Sequence, residues 1–167
     1  MSRPDREKMP YRDCVGTAVF NRQGLVLIGR RQSAGDPEDS AEFGSPWQMP
    51  QGGIDKGETP IEAACRELGE EVGTTKALFL RESRDWIRYD VPSRVAPGNW
   101  KGKWRGQTQK WFALAFTGRD SDIDIAAHGH EFDDWRWVPA HELPGLIVPF
   151  KRAVYEAVLT EFADLVA

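Results

Sequence analysis

A chain of 167 residues, 40% apolar and 29% charged, has the length and balance of one globular domain, residues 1–167, around one buried core. Its formal net charge of -4 argues against a protein that coats long nucleic acid or grips a DNA duplex, since that needs many phosphates neutralised, and leaves room for a short anionic ligand. No apolar run approaches the roughly 20 residues that span a bilayer, and the opening MSRPDREKMP has no secretory pattern, so a membrane span is excluded and a cytoplasmic chain expected.

In chain order, Cys14 to Phe20 reads as a strand, Asn21 to Gly24 as a turn and Leu25 to Ile28 as the partner strand of an opening hairpin. Ser33 to Pro46 is a loop, acidic from Asp36 on. Trp47 to Met49 is a short extended segment, and Gly52 and Gly53 are expected to make a tight turn into a helix. Ala77 to Leu80, Trp86 to Val91, Trp111 to Phe116 and Phe132 to Val138 read as strands, with Pro92 to Gly106 a long loop. Val154, Val158, Phe162 and Leu165 fall at helical spacing in the tail. The layers implied are helices on a mixed sheet, an α/β fold whose strand order is not derivable at this point. The basic residues Lys101, Lys103, Arg105 and Lys110 read as a solvated loop and strand edge, and Cys14 and Cys65 as small core residues.

The stretch Gln51 to Thr75 carries the chemistry. Thr59 suits a helix N-cap, Pro60 the first helical position, and Glu62 the reciprocal place of a capping box, while Gly73 suits the left-handed stop. At about 100° per residue, Ile61, Ala64, Cys65, Leu68 and Val72 form the stripe expected to face the core, and Glu67, Glu70 and Glu71 gather on another face. Like charges so spaced cost a few tenths of a kcal/mol per pair. A bound cation compensates that cost, and oxygen ligands favour Mg2+ or Mn2+. A merely solvated acidic face is the alternative, weakened by the flanking glycines, which let backbone approach a ligand, and by Glu58, placed to reach Arg66 if the loop folds back.

Gly52, Glu58, Arg66, Glu67, Leu68, Glu70, Glu71 and Gly73 fill the fixed positions of the Nudix box, which this segment resembles; only Thr74 stands where a bulky apolar residue is usual. The resemblance implies the Nudix α/β/α sandwich, a divalent metal held by Glu67, Glu70 and Glu71, an Arg66–Glu58 pair holding loop to helix, and hydrolysis of a phosphoanhydride. A carboxylate must take a proton from water, and the candidates are a box glutamate or Glu131 from another loop.

Likeness extends beyond the box. Tyr11-Arg12, WQMPQGG, GQTQKWF, EFDDWRWV and PFKRAVY resemble the bacterial RNA pyrophosphohydrolases and the related dinucleoside polyphosphate hydrolases. The substrate implied is a 5′-triphosphorylated RNA end or a dinucleoside polyphosphate, the residues leaving both open, as they leave the oligomeric state. By the same resemblance Glu131 gives a further metal or water contact, Arg12, Arg31 and Lys151 meet the phosphates beside Gly52 and Gly53, and Phe150 stacks on a base. Core packing for Phe150 and a plain helix start for Lys151 are the alternatives. The acidic loop 36–46 would repel a long polyanion and favour short nucleotides. His128 and His130 are read as loop residues. A non-catalytic nucleotide-sensing module would be expected to lack box carboxylates, all present here.

Overall fold

A computed structural model describes residues 6–31, 47–92, 103–129 and 131–165. The acidic loop 36–46 lies outside them, as do residues 93–102 of the long loop and His130. Strand β1 (Tyr11–Phe20) runs parallel to β7 (Gly106–Phe116), register Tyr11↔Gly106 to Phe20↔Ala115. On the far side of β7, β5 (Ala77–Glu82) and β6 (Ile87–Asp90) pair antiparallel with it. A short turn at residues 21–25 returns the chain into β2 (Val26–Arg31), which meets β1 at Phe20↔Val26 and carries β3 (Trp47–Gln48) and β8 (Phe132–Val138). The Asn21 side chain accepts from the amides of Gln23 and Leu25 and so builds that turn. The mixed sheet expected from the sequence is present.

Alternation along β1 sorts the two layers. Val15 and Val19 pack against Ala63, Ala64, Leu68 and Val72 of α1 (Pro60–Val72). Ala18 and Phe20 face Val154, Tyr155 and Val158 of α3 (Arg152–Glu161), which follows the single turn α2 (Leu143–Leu146). Helix, sheet and helix make the α/β/α sandwich, and each Leu or Val so buried contributes about 1.5–3 kcal/mol. No helix among the described residues is long and apolar enough to cross a membrane.

Three expectations are corrected. Gly52 and Gly53 form no turn: they belong to a strand, β4 (Gln51–Gly53), that pairs antiparallel with Cys14–Gly16 of β1. Their lack of side chain serves close approach, because a Cβ on Gly52 would overlap the Glu67 carboxylate and one on Gly53 the Arg12 guanidinium. The turn that needs a positive φ comes later, at Gly57. Second, the buried face of α1 is Ala63, Ala64, Leu68, Glu71 and Val72, whereas Cys65 is exposed and Ile61 is 36% exposed. The helix is rotated from its purely apolar stripe because Glu67 must abut the Gly52 backbone, which draws Glu71 inward. Third, Cys65 is therefore a surface thiol; Cys14 is in the core as expected.

Candidate active site

The ends of α1 are set as the sequence implies. Thr59 Oγ1 accepts from the Glu62 amide at 3.3 Å and donates to Glu62 Oε1 at 2.7 Å, and Gly73 takes a left-handed φ of 75°. These caps fix the phase of the helix and hence where its carboxylates point.

Arg66 organises the start of the site. Its Nε and Nη2 donate to the two oxygens of Glu58 at 2.8 and 2.9 Å, Nη2 also reaches the Gly53 carbonyl at 2.8 Å, and Nη1 reaches Glu67 Oε1 at 2.9 Å. One guanidinium thus ties the loop, β4 and α1 together through charge-assisted bonds. The hydrogen bonds from Arg66 first, then that from the Asp55 amide, hold the Glu58 carboxyl down at about 2.

Three carboxylates meet beyond it. Glu67, Glu71 and Glu131 each place an oxygen within 4.8 Å of the others. Glu71 is 1% exposed; its Oε2 accepts from the Gln51 amide at 3.1 Å, and its buried Oε1 has no donor among the described residues. Burial, then Glu131, pushes the Glu71 carboxyl well above the ordinary range, and burial pushes Glu67 to about 6 against the pull of Arg66. Like-charged oxygens gathered around an acceptor without a donor are costly alone, and the set fits a hard divalent cation. Glu131, from the turn before β8, is thus brought beside Glu67 and Glu71. Glu70 does not converge with this trio: its side chain is 47% exposed and accepts from Arg66 Nη1 at 3.3 Å.

The other end of the site lies on the α3 face of the sheet. Arg12 lies against Gly53. Lys151, in the 3-10 turn before α3, is only 6% exposed, with Nζ 5.5 Å from the Tyr89 ring centre and 5.9 Å from that of Phe150. Tyr89 and Phe150 stand 6.1 Å apart. Burial pushes the Cys14 thiol up to about 12, opposed by the charges of Arg12 and Lys151 and reinforced by those of Asp13 and Glu67. Arg31 closes β2 on the side of the buried Tyr155, whose hydroxyl accepts from the Met49 amide at 2.7 Å.

Tyr89, Tyr155 and the glutamines Gln51, Gln107 and Gln109 pack or hydrogen-bond beside the candidate site and were not named as candidates from the sequence. For Gln107 and Gln109 a signal was available: in GQTQKWF the period-two spacing of Gln107, Gln109 and Trp111 places two amides on the same strand face as a large apolar ring.

Comparison with known proteins agrees with this geometry. The NUDIX domain family model matches residues 10–158. The RNA pyrophosphohydrolase of Rhizobium meliloti (strain 1021) is 54% identical over 166 residues, covering 96% of this chain and 98% of that protein. That of Rhodopseudomonas palustris (strain HaA2) is 53% identical, covering 95% of each. Among solved structures, the E. coli dihydroneopterin triphosphate pyrophosphohydrolase superposes with a TM-score of 0.62 at 22% identity, over 93% of this chain and 99% of that one. A C. elegans Ap4A hydrolase gives a TM-score of 0.62 at 16% identity, over 94% and 99%; both share the fold. The chain belongs to the Nudix family and is a hydrolase of phosphoanhydride bonds.

Proposed function

We propose that this chain is a cytoplasmic RNA pyrophosphohydrolase that releases pyrophosphate from 5′-triphosphorylated RNA. The observation that carries the reading is the 54% identity to an enzyme of that name across 96% of the chain. Glu67, Glu71 and Glu131 would hold Mg2+ or Mn2+, with Glu70 on the adjoining turn as a further oxygen donor. Such an ion, when bound, neutralises phosphate oxygens and activates water.

The chain's own residues do the rest. Arg66 sets the Glu67 oxygen through its 2.9 Å bond and pins β4 against the helix. Arg12 and Lys151 neutralise the phosphates beyond the reacting one, and Arg31 supports them from β2. Phe150, half-buried against Tyr89, offers a face on which a base stacks, worth about 1–3 kcal/mol. Glu131, the exposed member of the trio, would offer one oxygen to the ion and take the proton of the attacking water on its other oxygen.

The net charge of -4 and the acidic residues 36–46 favour a second reading, a dinucleoside polyphosphate hydrolase with the same catalytic step. Turnover of triphosphorylated RNA and of diadenosine tetraphosphate, side by side with magnesium and with chelator, decides between them. Faster pyrophosphate release from RNA is expected; faster dinucleotide cleavage selects the second reading, absent turnover of both leaves a sensing module, and turnover that survives the chelator rejects the metal assignment.

A further inference from the structure

Trp111 packs with α3, so Gln109 and Gln107, two and four residues earlier in β7, share its sheet face. Gln109 is 1% exposed and its amide is fully engaged. Its Oε1 accepts from Trp111 Nε1 at 3.1 Å, while its Nε2 donates to Gln51 Oε1 and to Gln107 Oε1, both at 2.9 Å.

An indole N–H only donates. Trp111 therefore compels Gln109 to present oxygen to it, which leaves both Gln109 amide hydrogens for the neighbours. Gln51 and Gln107 must in turn offer oxygen, and their own NH2 groups are turned away from Gln109. Trp111 is itself held, with Tyr155 edge-on at 5.8 Å and a glycine, Gly16, beneath a ring that would come within 2.6 Å of any Cβ there.

We propose that Trp111 and Gln109 are positioning residues that set the polarity of a two-amide cradle, holding the NH2 groups of Gln51 and Gln107 as ready donors to substrate phosphate oxygens. The proposal rests on the phosphate substrate proposed above. Placement supports it. The Gln51 backbone N–H donates to Glu71 Oε2 at 3.1 Å, which puts this residue at the carboxylate end. Gln107 sits in register between Arg12 and Tyr89, at the cationic and aromatic end. A glutamine free to flip would offer its carbonyl oxygen, which repels phosphate, as readily as its NH2. Fixing the donors beforehand removes that ordering cost from binding.

The test uses the full chain with 15N-labelled glutamine and arginine side chains and inorganic triphosphate as probe. The Gln109 NH2 pair should be protected from solvent exchange, and the Gln51 and Gln107 pairs should shift when triphosphate is added. In Trp111→Phe, the Gln109 protection should fall and those shifts shrink. Movement of the Arg12 signal with Gln51 and Gln107 unmoved overturns the cradle alone; no movement anywhere overturns the phosphate reading with it.

Kinetics give a second arm. Gln109→Glu keeps an oxygen for Trp111 but replaces the NH2 by a second acceptor, reversing both neighbouring amides. The KM for triphosphorylated RNA should rise about 10- to 100-fold, the effect of losing charge-assisted bonds, with the neutral Gln109→Met raising it less and kcat falling little in either. A KM unchanged in both folded variants, as judged by circular dichroism, overturns the assignment. A structural network alone would lower Tm without moving KM.

Discussion

The two ends of the site are built in opposite ways. The carboxylate end takes Glu58, Arg66, Glu67 and Glu71 from one continuous stretch of loop and helix, with Glu131 the one addition from elsewhere among the described residues. The cationic and aromatic end draws Arg12 from β1, Tyr89 from β6, and Phe150 and Lys151 from the turn before α3. Helical spacing holds the first together locally, so its geometry is stiff. Tertiary packing alone holds the second, so its geometry answers to the core around it.

The difference predicts where chemistry and affinity separate. Removing metal by chelation, or changing Glu71→Gln, should lower kcat by about 10³-fold or more while KM moves little, since both act on charge that matters in the transition state. Glu71→Gln should also raise Tm in metal-free buffer, because it removes a buried carboxylate whose Oε1 has no donor among the described residues. Near-normal turnover in this variant would break the comparison at its strong end. Glu70→Gln should likewise cut turnover by orders of magnitude with the fold kept, though its exposed position on Arg66 makes the loss smaller than at Glu71.

How much was legible follows the same division. Thr59, Pro60 and Gly73 mark α1 because capping is a local matter, and the structure starts and stops the helix there. The phase of α1 was half legible. On a wheel of about 100° per residue Glu71 falls only about 20° from Ala64, so its burial was implicit, yet a stripe drawn through apolar residues alone left it out. Gly52 and Gly53 suggest a turn by composition; pairing with Cys14–Gly16, a contact across some forty residues of sequence, makes them a strand. Lys151 and Tyr89 carry no local sign that they meet, because their approach is decided by the packing of α3 on β6.

At the second end the expected effects fall on KM. Lys151→Met keeps the length of the side chain and removes its charge, and should raise the KM for triphosphorylated RNA about 10- to 50-fold through the lost phosphate interaction. Phe150→Ala should raise it about tenfold, toward the lower end of the range for one base stack, and Phe150→Tyr should restore it. A fall in kcat with KM unchanged, for either residue, would move that residue into the chemistry and erase the contrast.

The smallest effect concerns what joins the two ends. Arg66 ties Glu58 to the Gly53 carbonyl, and Gly53 carries Arg12 against it, so the Glu58 pair supports both. Its carboxyl is held down at about 2 from an ordinary value of 4.5. A depressed folded-state value means that the folded chain prefers the ionised form. The contribution is therefore complete above about 4.5 and is lost as pH falls from there through about 2. In Glu58→Gln this pH-dependent part is absent. The Tm of the variant should lie a few degrees below that of the parent chain at pH 7, and the two curves should converge as pH is lowered from 4.5 toward 2. A Tm gap that stays constant across that window would mean that Glu58 acts through shape rather than charge, and that Arg66 does not link the two ends electrostatically.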